Sequence, residues 1–268
     1  MQSVDWEHKY GELIKLIVNT GERKEGRNGY TRSIFGQMLK IDMQTQGFPI
    51  LQGRKMFYKG VLGEVAAMLA GAQSIAEFKK HGCNYWDAWA DNKGNLNLDY
   101  GRVWRDFNGC DQLAKLIATL KNNPNDRRMV ISGWRPDKLD ELSLPCCHLL
   151  YQWHVKDNTY LNMTWYQRSA DTMIGLPSDI MFAAIWNMIL ANEVGMLPGE
   201  LTFMLGDTHI YEEHLWPVRV YLSRLEEHKF TKVDASLDVN ATIDNFNNYM
   251  FSLLNYYPLD VIKFKLKK

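Results

Sequence analysis

The sequence has no excess of charge of either sign, few cysteines, few prolines and no long apolar run. Lys plus Arg and Asp plus Glu each number 31 in 268 residues, so the formal net charge is zero. That balance excludes the bulk basic field of a duplex-coating protein and leaves room only for a local patch. Four cysteines are too few for a disulfide framework in a chain of this length. Cys146 and Cys147 are adjacent, Cys83 and Cys110 stand alone, and no CxxC pair or zinc-spaced His/Cys set occurs. The thiols are expected to be reduced and no metal is expected. No apolar stretch approaches the roughly 20 residues of a membrane span. The N-terminus, MQSVDWEHKYGELIK, is charged and lacks the apolar core of a signal peptide. A cytoplasmic protein with no membrane or nucleic-acid partner is expected. The eight prolines are scattered and no linker, repeat or low-complexity tract interrupts the chain, so residues 1–268 read as one domain.

What is present is ordinary globular composition, 46% hydrophobic and 23% charged. A chain of this size buries roughly 70–75% of its unfolded surface without staples. Periodicity predicts an amphipathic helix over residues 6–20, with Tyr10, Leu13, Leu16 and Ile17 on one side. A Gly/Arg/Asn-rich loop is expected over 21–31, then a strand over 33–43. Helices follow over 61–70, 111–120 and 179–194, and strands over 129–134, 149–155, 160–168 and 201–205. Helices and strands without regular βαβ alternation indicate an α+β fold.

Several segments carry residue types suited to chemistry. In Leu144-Pro145-Cys146-Cys147-His148, a cysteine beside a histidine at a strand entrance reads either as an activated nucleophile or as a small buried hydrophobe. Arg168, closing a strand beside Gln167 and Ser169, suits an oxyanion or phosphate; its bland reading is an ion pair with Asp171. Arg127 and Arg128 lie at a turn and Arg27 in the early loop, where arginines are ordinarily solvated. Glu64 sits among Val61, Leu62, Val65, Ala66, Met68 and Leu69, so it is either a raised-pKa acid/base or a partnered core charge. His209 and Tyr211, two apart, share a face if the segment is extended.

Together these segments resemble the thymidylate synthase family over most of the chain. The resemblance rests on Arg27 with Ser33-Ile34-Phe35-Gly36, Glu64, Trp86-Asp87-Ala88-Trp89-Ala90-Asp91 and Tyr100-Gly101-Arg102-Val103-Trp104-Arg105. It continues in family order through Asp126-Arg127-Arg128, Pro145-Cys146-Cys147-His148, Gln167-Arg168-Ser169-Ala170-Asp171, Gly175-Leu176-Pro177-Ser178-Asp179 and Asp207-Thr208-His209-Ile210-Tyr211. It implies a mixed β-sheet flanked by helices and a homodimer whose sheets pack back to back. It implies a pyrimidine nucleoside monophosphate as substrate and 5,10-methylenetetrahydrofolate as one-carbon donor. Cys147 would attack carbon 6 of the base, with Glu64, Tyr100, His148 and Asp179 completing the catalytic set. Arg27, Arg168 and Ser169 of one subunit would hold the phosphate, and Arg127 and Arg128 would reach it from the partner. The arginines would also favour the thiolate form of Cys147. His209 and Tyr211 would bind the sugar, and Asp171 would touch both nucleotide and folate. Trp86, Trp89, Gly175, Leu176 and Ser178 would line the folate site. Cys146, where the family usually has proline, is assigned no role.

Two departures narrow the reading. Thymidylate synthases carry asparagine where this chain has Asp179, and an aromatic where it has Ser178. A carboxylic acid sharing one proton accepts from the amino group and donates to the ring nitrogen of cytosine, a pattern asparagine does not match. The competing reading makes Ser178 and Asp179 a helix N-cap. Ser178 and the basic tail Phe264-Lys265-Leu266-Lys267-Lys268 favour hydration over reduction, whereas the retained Trp86 and Trp89 argue the other way. The resemblance thus implies a deoxycytidylate (dCMP) hydroxymethylase-like enzyme of the kind typical of bacteriophages that modify their DNA. The alternatives are a methyltransferase on dCMP or dUMP, a CMP or dUMP hydroxymethylase, and a non-catalytic nucleotide or RNA binder using the arginines and 12% aromatics.

Overall fold

Helical periodicity accounts for the first element of the computed structural model, which describes residues 5–267. Helix α1 (Trp6–Thr20) turns Trp6, Tyr10, Leu13, Ile14 and Ile17 inward and stops at Gly21. Strands β1 (Glu22–Gly26) and β2 (Gly29–Asp42) then form an antiparallel hairpin. Residues 21–31 are therefore not the loop their Gly, Arg and Asn content suggests. Only Arg27 and Asn28 form the turn, and Gly29 supplies a φ of 116°. Cross-strand pairing, which composition does not register, makes the rest extended.

Short helices α2 (Met43–Gln46), α3 (Tyr58–Leu69), α4 (Ile75–Lys80) and α5 (Gly101–Arg105) follow, then α6 (Gln112–Asn122), whose N-terminus is capped by Asp111 accepting from Ala114 N at 2.8 Å. Strands β3 (Val130–Ser132), β4 (His148–Lys156) and β5 (Tyr160–Asp171) precede the long helix α7 (Gly175–Glu193). The chain ends in β6 (Leu197–Tyr211), α8 (Leu215–Glu227) and a small hairpin, β7 (Asp234–Leu237) with β8 (Phe251–Leu254).

Helix α7 begins four residues before the expected start. Pro177 sits in its first turn, where a missing N–H leaves nothing unpaired. Ser178 and Asp179 thus lie inside the helix, and Ser178 Oγ donates back to Ile174 O at 3.3 Å. Neither is the N-cap, which removes that alternative for Asp179.

The six-stranded sheet runs β1-β2-β6-β5-β4-β3, with β5 and β6 parallel and every other pair antiparallel. This is the α+β, mixed-sheet architecture expected from the sequence. One face packs on α7, which is apolar nearly all round and almost wholly buried. Trp104 and Trp186 stack 4.4 Å apart beneath it, ringed by Tyr151, Trp153, Trp165 and Phe182. The opposite face leaves Leu150, Met204 and Met38 exposed, and strand register aligns them in one rung through Tyr166. Among the described residues no helix is long and apolar enough to cross a membrane.

Candidate active site

Strand direction gathers the polar residues at one edge of the sheet. The start of β2, the ends of β5 and β6 and the start of β4 all meet there, because β5 and β6 are parallel and their neighbours antiparallel. A cleft of about 310 Å³ opens at this edge. It collects Arg27, Glu64, Trp86, Trp89, Tyr100, Cys147, His148, Arg168, Ser169, Asp171, Gly175, Asp179, His209 and Tyr211. These residues span more than 180 positions of sequence, so only tertiary pairing brings them together.

The two adjacent cysteines are separated by environment. Cys146 is buried, its thiol donates to Gly133 O at 3.6 Å, and burial pushes its pKa up to about 12. Cys147 lines the cleft, and its N–H donates to the Tyr100 hydroxyl oxygen at 2.7 Å. Burial raises the Cys147 thiol, while the Arg168 charge and the Tyr100 phenol pull it down and Asp179 pushes it up. The net direction is upward, so Arg168 does not by itself secure the thiolate. Burial outweighs it.

His148 is not placed as a base for Cys147. It is buried between the rings of Tyr100, at 4.5 Å, and Trp165, at 4.2 Å, and its Nδ1 bonds the Tyr151 hydroxyl at 2.6 Å. Burial holds its pKa well below the ordinary value, so the ring is neutral. Its Nε2 lies 3.9 Å from Asp179 Oδ1.

Two carboxyls face the cleft with raised pKa values. Glu64, on α3, accepts from Tyr85 Oη at 2.7 Å and from Trp86 Nε1 at 2.8 Å. Burial nevertheless lifts it to about 7. Asp179, on α7, is lifted further, to about 8, by burial first and by the charges of Glu64 and Asp171, against a hydrogen bond from Gln167 Nε2 to Oδ2 at 2.8 Å. Near neutral pH the first carboxyl exchanges its proton readily and the second is mostly protonated.

The cleft also holds Arg27, Arg168, His209 and Tyr211. The Arg168 guanidinium donates to Cys146 O at 2.9 Å and Pro145 O at 3.0 Å, and among the described residues no carboxylate pairs with it. The ion pair with Asp171 considered from sequence is absent; Asp171 Oδ1 instead accepts from Met173 N and Ile174 N. Arg27 projects from the β1–β2 turn, its Nε bonded to Asn28 Oδ1. His209 and Tyr211 share a face of β6, as the two-residue spacing requires, and Asp207 Oδ1 orients His209 through Nδ1 at 2.8 Å.

Four expected residues stand apart from this cleft. Arg127 and Arg128 are exposed at the turn after α6, with Arg128 chelated by Asp126 at 2.7 and 3.0 Å. Leu176 is fully buried in the core, and Ser178 bonds its own helix. Conversely, Tyr85, Gln167, Asn28 and Lys267 contribute to the site without having been singled out for a role in the sequence. Gln167 left a signal: it continues the inward face of Leu161, Met163 and Trp165, where a polar side chain is out of place. Trp86 and Trp89 form an aromatic wall of the cleft, their rings 5.2 Å apart and tilted by 56°.

The thymidylate synthase family model matches residues 8–268, nearly the whole chain. Members of this family are one-carbon transferases that modify carbon 5 of a pyrimidine nucleotide, use methylenetetrahydrofolate and typically form homodimers. The cleft at the sheet edge holds a cysteine, an arginine beside it and an aromatic wall, and the chain belongs to the thymidylate synthase family.

Proposed function

We propose that the protein hydroxymethylates carbon 5 of dCMP. The observation that carries this reading is a carboxyl, Asp179, lining the cleft with Oδ2 accepting from Gln167 Nε2 at 2.8 Å; burial raises its pKa, so it can serve as both donor and acceptor. Cytosine offers an amino donor and an unprotonated ring nitrogen to such a group. Cys147 adds to carbon 6, which makes carbon 5 nucleophilic. Binding of the nucleotide phosphate beside Arg168 and Arg27 positions the base over the sulfur, and Tyr100 offers its phenol proton to the Cys147 side. Glu64, with a pKa near neutrality, takes and returns protons at the base. His209 and Tyr211 anchor the sugar.

Trp86, Trp89 and Gly175 would hold methylenetetrahydrofolate, which supplies a one-carbon unit at the methylene level when bound. The overall reaction consumes dCMP, the folate and water, and releases hydroxymethyl-dCMP and tetrahydrofolate. Uptake of water fits a mouth that is charged rather than greasy. Lys267 reaches the cleft, paired to Glu213 at 2.8 Å. Lys268, the last residue of that basic tail, lies outside the described residues.

The exposed rung of Leu150, Met204 and Met38 supports a back-to-back dimer, in which Arg127 and Arg128 complete the partner's phosphate site. A second reading, methylation with reduction by the folate, is favoured by the intact Trp86–Trp89 wall. Incubation with dCMP and methylenetetrahydrofolate distinguishes the two. Hydroxymethyl product with tetrahydrofolate is expected; dihydrofolate absorbance with a methylated base would overturn the hydroxymethylase reading.

A further inference from the structure

Glu64 is held by two donors of different kinds. The Trp86 indole N–H can only donate, and it fixes Oε1 at 2.8 Å whatever the charge of the carboxyl. The Tyr85 phenol, 2.7 Å from Oε2, can donate or accept. Its oxygen also lies 3.5 Å from the carbonyl of Gly60, one turn earlier on α3. Tyr85 therefore has an alternative acceptor for its own proton. Gly60 makes room for this arrangement: a Cβ there would meet Phe57 at 2.6 Å and Tyr85 at 3.0 Å.

We propose that Tyr85 is a positioning residue for Glu64, a reversible hydrogen-bond partner that holds the carboxyl in one orientation in both of its protonation states. To the carboxylate it donates. When Glu64 takes a proton on Oε2, the carboxylic acid donates to the phenol oxygen and the phenol proton turns to Gly60 O. No tyrosinate forms: Tyr85 is partly exposed, and the Glu64 charge 2.7 Å away holds its pKa above the ordinary value. The carboxyl thus changes charge without rotating, which suits a group that must take and return a proton at one place on a base. This inference rests on the reading of Glu64 as the proton-handling carboxyl.

Asp179, Tyr100, Cys147, His148 and Arg168 line the same cleft as Glu64, and Cys83 hydrogen-bonds the Tyr85 side chain, so it loses that partner in a Tyr85→Phe variant. On the adjoining helices, Lys79 of α4 pairs with Asp87 at 2.7 Å and Arg105 of α5 with Asp244 at 2.7 Å. A Tyr85→Phe variant keeps the ring and removes one donor to the carboxylate. Both forms of Glu64 lose a bond, but the charge-assisted bond to the carboxylate is the stronger of the two, so the ionised form loses more and the midpoint rises.

The test is an infrared titration of the Glu64 carboxylic-acid stretch, assigned by subtracting the Glu64→Gln spectrum. Tyr85→Phe should move the midpoint up by about one pH unit, the scale of one charge-assisted hydrogen bond. The low-pH limb of kcat should move up with it, while KM for the nucleotide stays within about twofold. A midpoint that stays put or falls overturns the proposal. The spectrum needs no turnover, so it answers even where the hydroxymethylase reading fails. If the Tyr85→Phe variant fails to pack its ring, Tyr85→His, which restores a donor and an acceptor, should return the midpoint toward the original. A His variant as displaced as the Phe variant would likewise overturn it.

Discussion

Gln167 donates its side-chain amide to Oδ2 of Asp179 at 2.8 Å, and its own oxygen is occupied by the indole N–H of Trp165 at 3.1 Å. The Trp165 bond fixes which end of the Gln167 amide faces the aspartate. Oδ2 is thereby held as an acceptor, and the proton that Asp179 retains near neutral pH belongs on Oδ1. A base-reading carboxyl in a fixed tautomer is a more selective partner than one free to rotate.

Replacing Asp179 tests this directly. Asp179→Asn replaces two oxygens that can share one proton with a nitrogen that only donates and an oxygen that only accepts, a pair suited to the position-4 carbonyl and ring N–H of uracil. Preference measured as kcat/KM for dCMP over dUMP should fall by roughly 100-fold or more, since a buried polar mismatch costs about 3 kcal/mol. Unchanged preference would remove Asp179 from base reading, and a wild type that prefers dUMP would do the same.

Asp179 also makes stability depend on pH. Its folded pKa, about 8, lies above the ordinary value, so the folded state keeps a proton that the unfolded state has released. The sign follows: stability is fully present below about pH 4 for this group and is lost as pH rises through 8. The slope is at most about 1.4 kcal/mol per pH unit within that window. Glu64, lifted to about 7, adds a second contribution of the same sign. Thermal melting from pH 5 to 9 should show Tm of the free enzyme falling, with a shallower fall in Asp179→Asn. A wild-type curve that rises over this range would contradict the burial argument.

The two cysteines give a cleaner contrast. Cys147→Ser should abolish turnover and any covalent nucleotide adduct seen by mass spectrometry, since a serine hydroxyl is a far weaker nucleophile without a base beside it. Cys146→Ser should retain turnover. Its cost is in stability, about 1–2 kcal/mol by urea melting, from placing a hydroxyl in the buried site. The opposite pattern would reassign the nucleophile.

Much of this arrangement was legible in the sequence, and what was not had physical causes. The alternation of β5 and the spacing of His209 and Tyr211 were readable because a strand has a strict two-residue period. Glu64 stood out because charge among apolar neighbours is costly. The strand expected over 33–43 matches most of β2, but the arm before it was hidden, because β1 is exposed throughout and its extended state comes from pairing with β2, not from its own residues. The start of α7 was misplaced because Ser178 and Asp179 are good capping types, yet Pro177 and Gly175 already lie in the helix. Tyr85 and Gln167 act through single hydrogen bonds to residues 21 and 12 positions away, a relation no local pattern encodes.

Shared sites make the last prediction. Arg127 and Arg128 lie outside the cleft of their own chain, exposed and directed at no carboxylate of the site. If they complete the partner's phosphate site, Cys147→Ser and an Arg127→Ala/Arg128→Ala double variant carry complementary defects. Each homodimer should be impaired at both of its sites. In the mixed dimer one site combines both defects and the other has neither, because a twofold interface exchanges the arginines. The differently tagged heterodimer, purified and assayed at saturating dCMP and methylenetetrahydrofolate, should therefore recover about half the wild-type rate, one working site of two. Recovery absent from a verified heterodimer would place these arginines outside the active site.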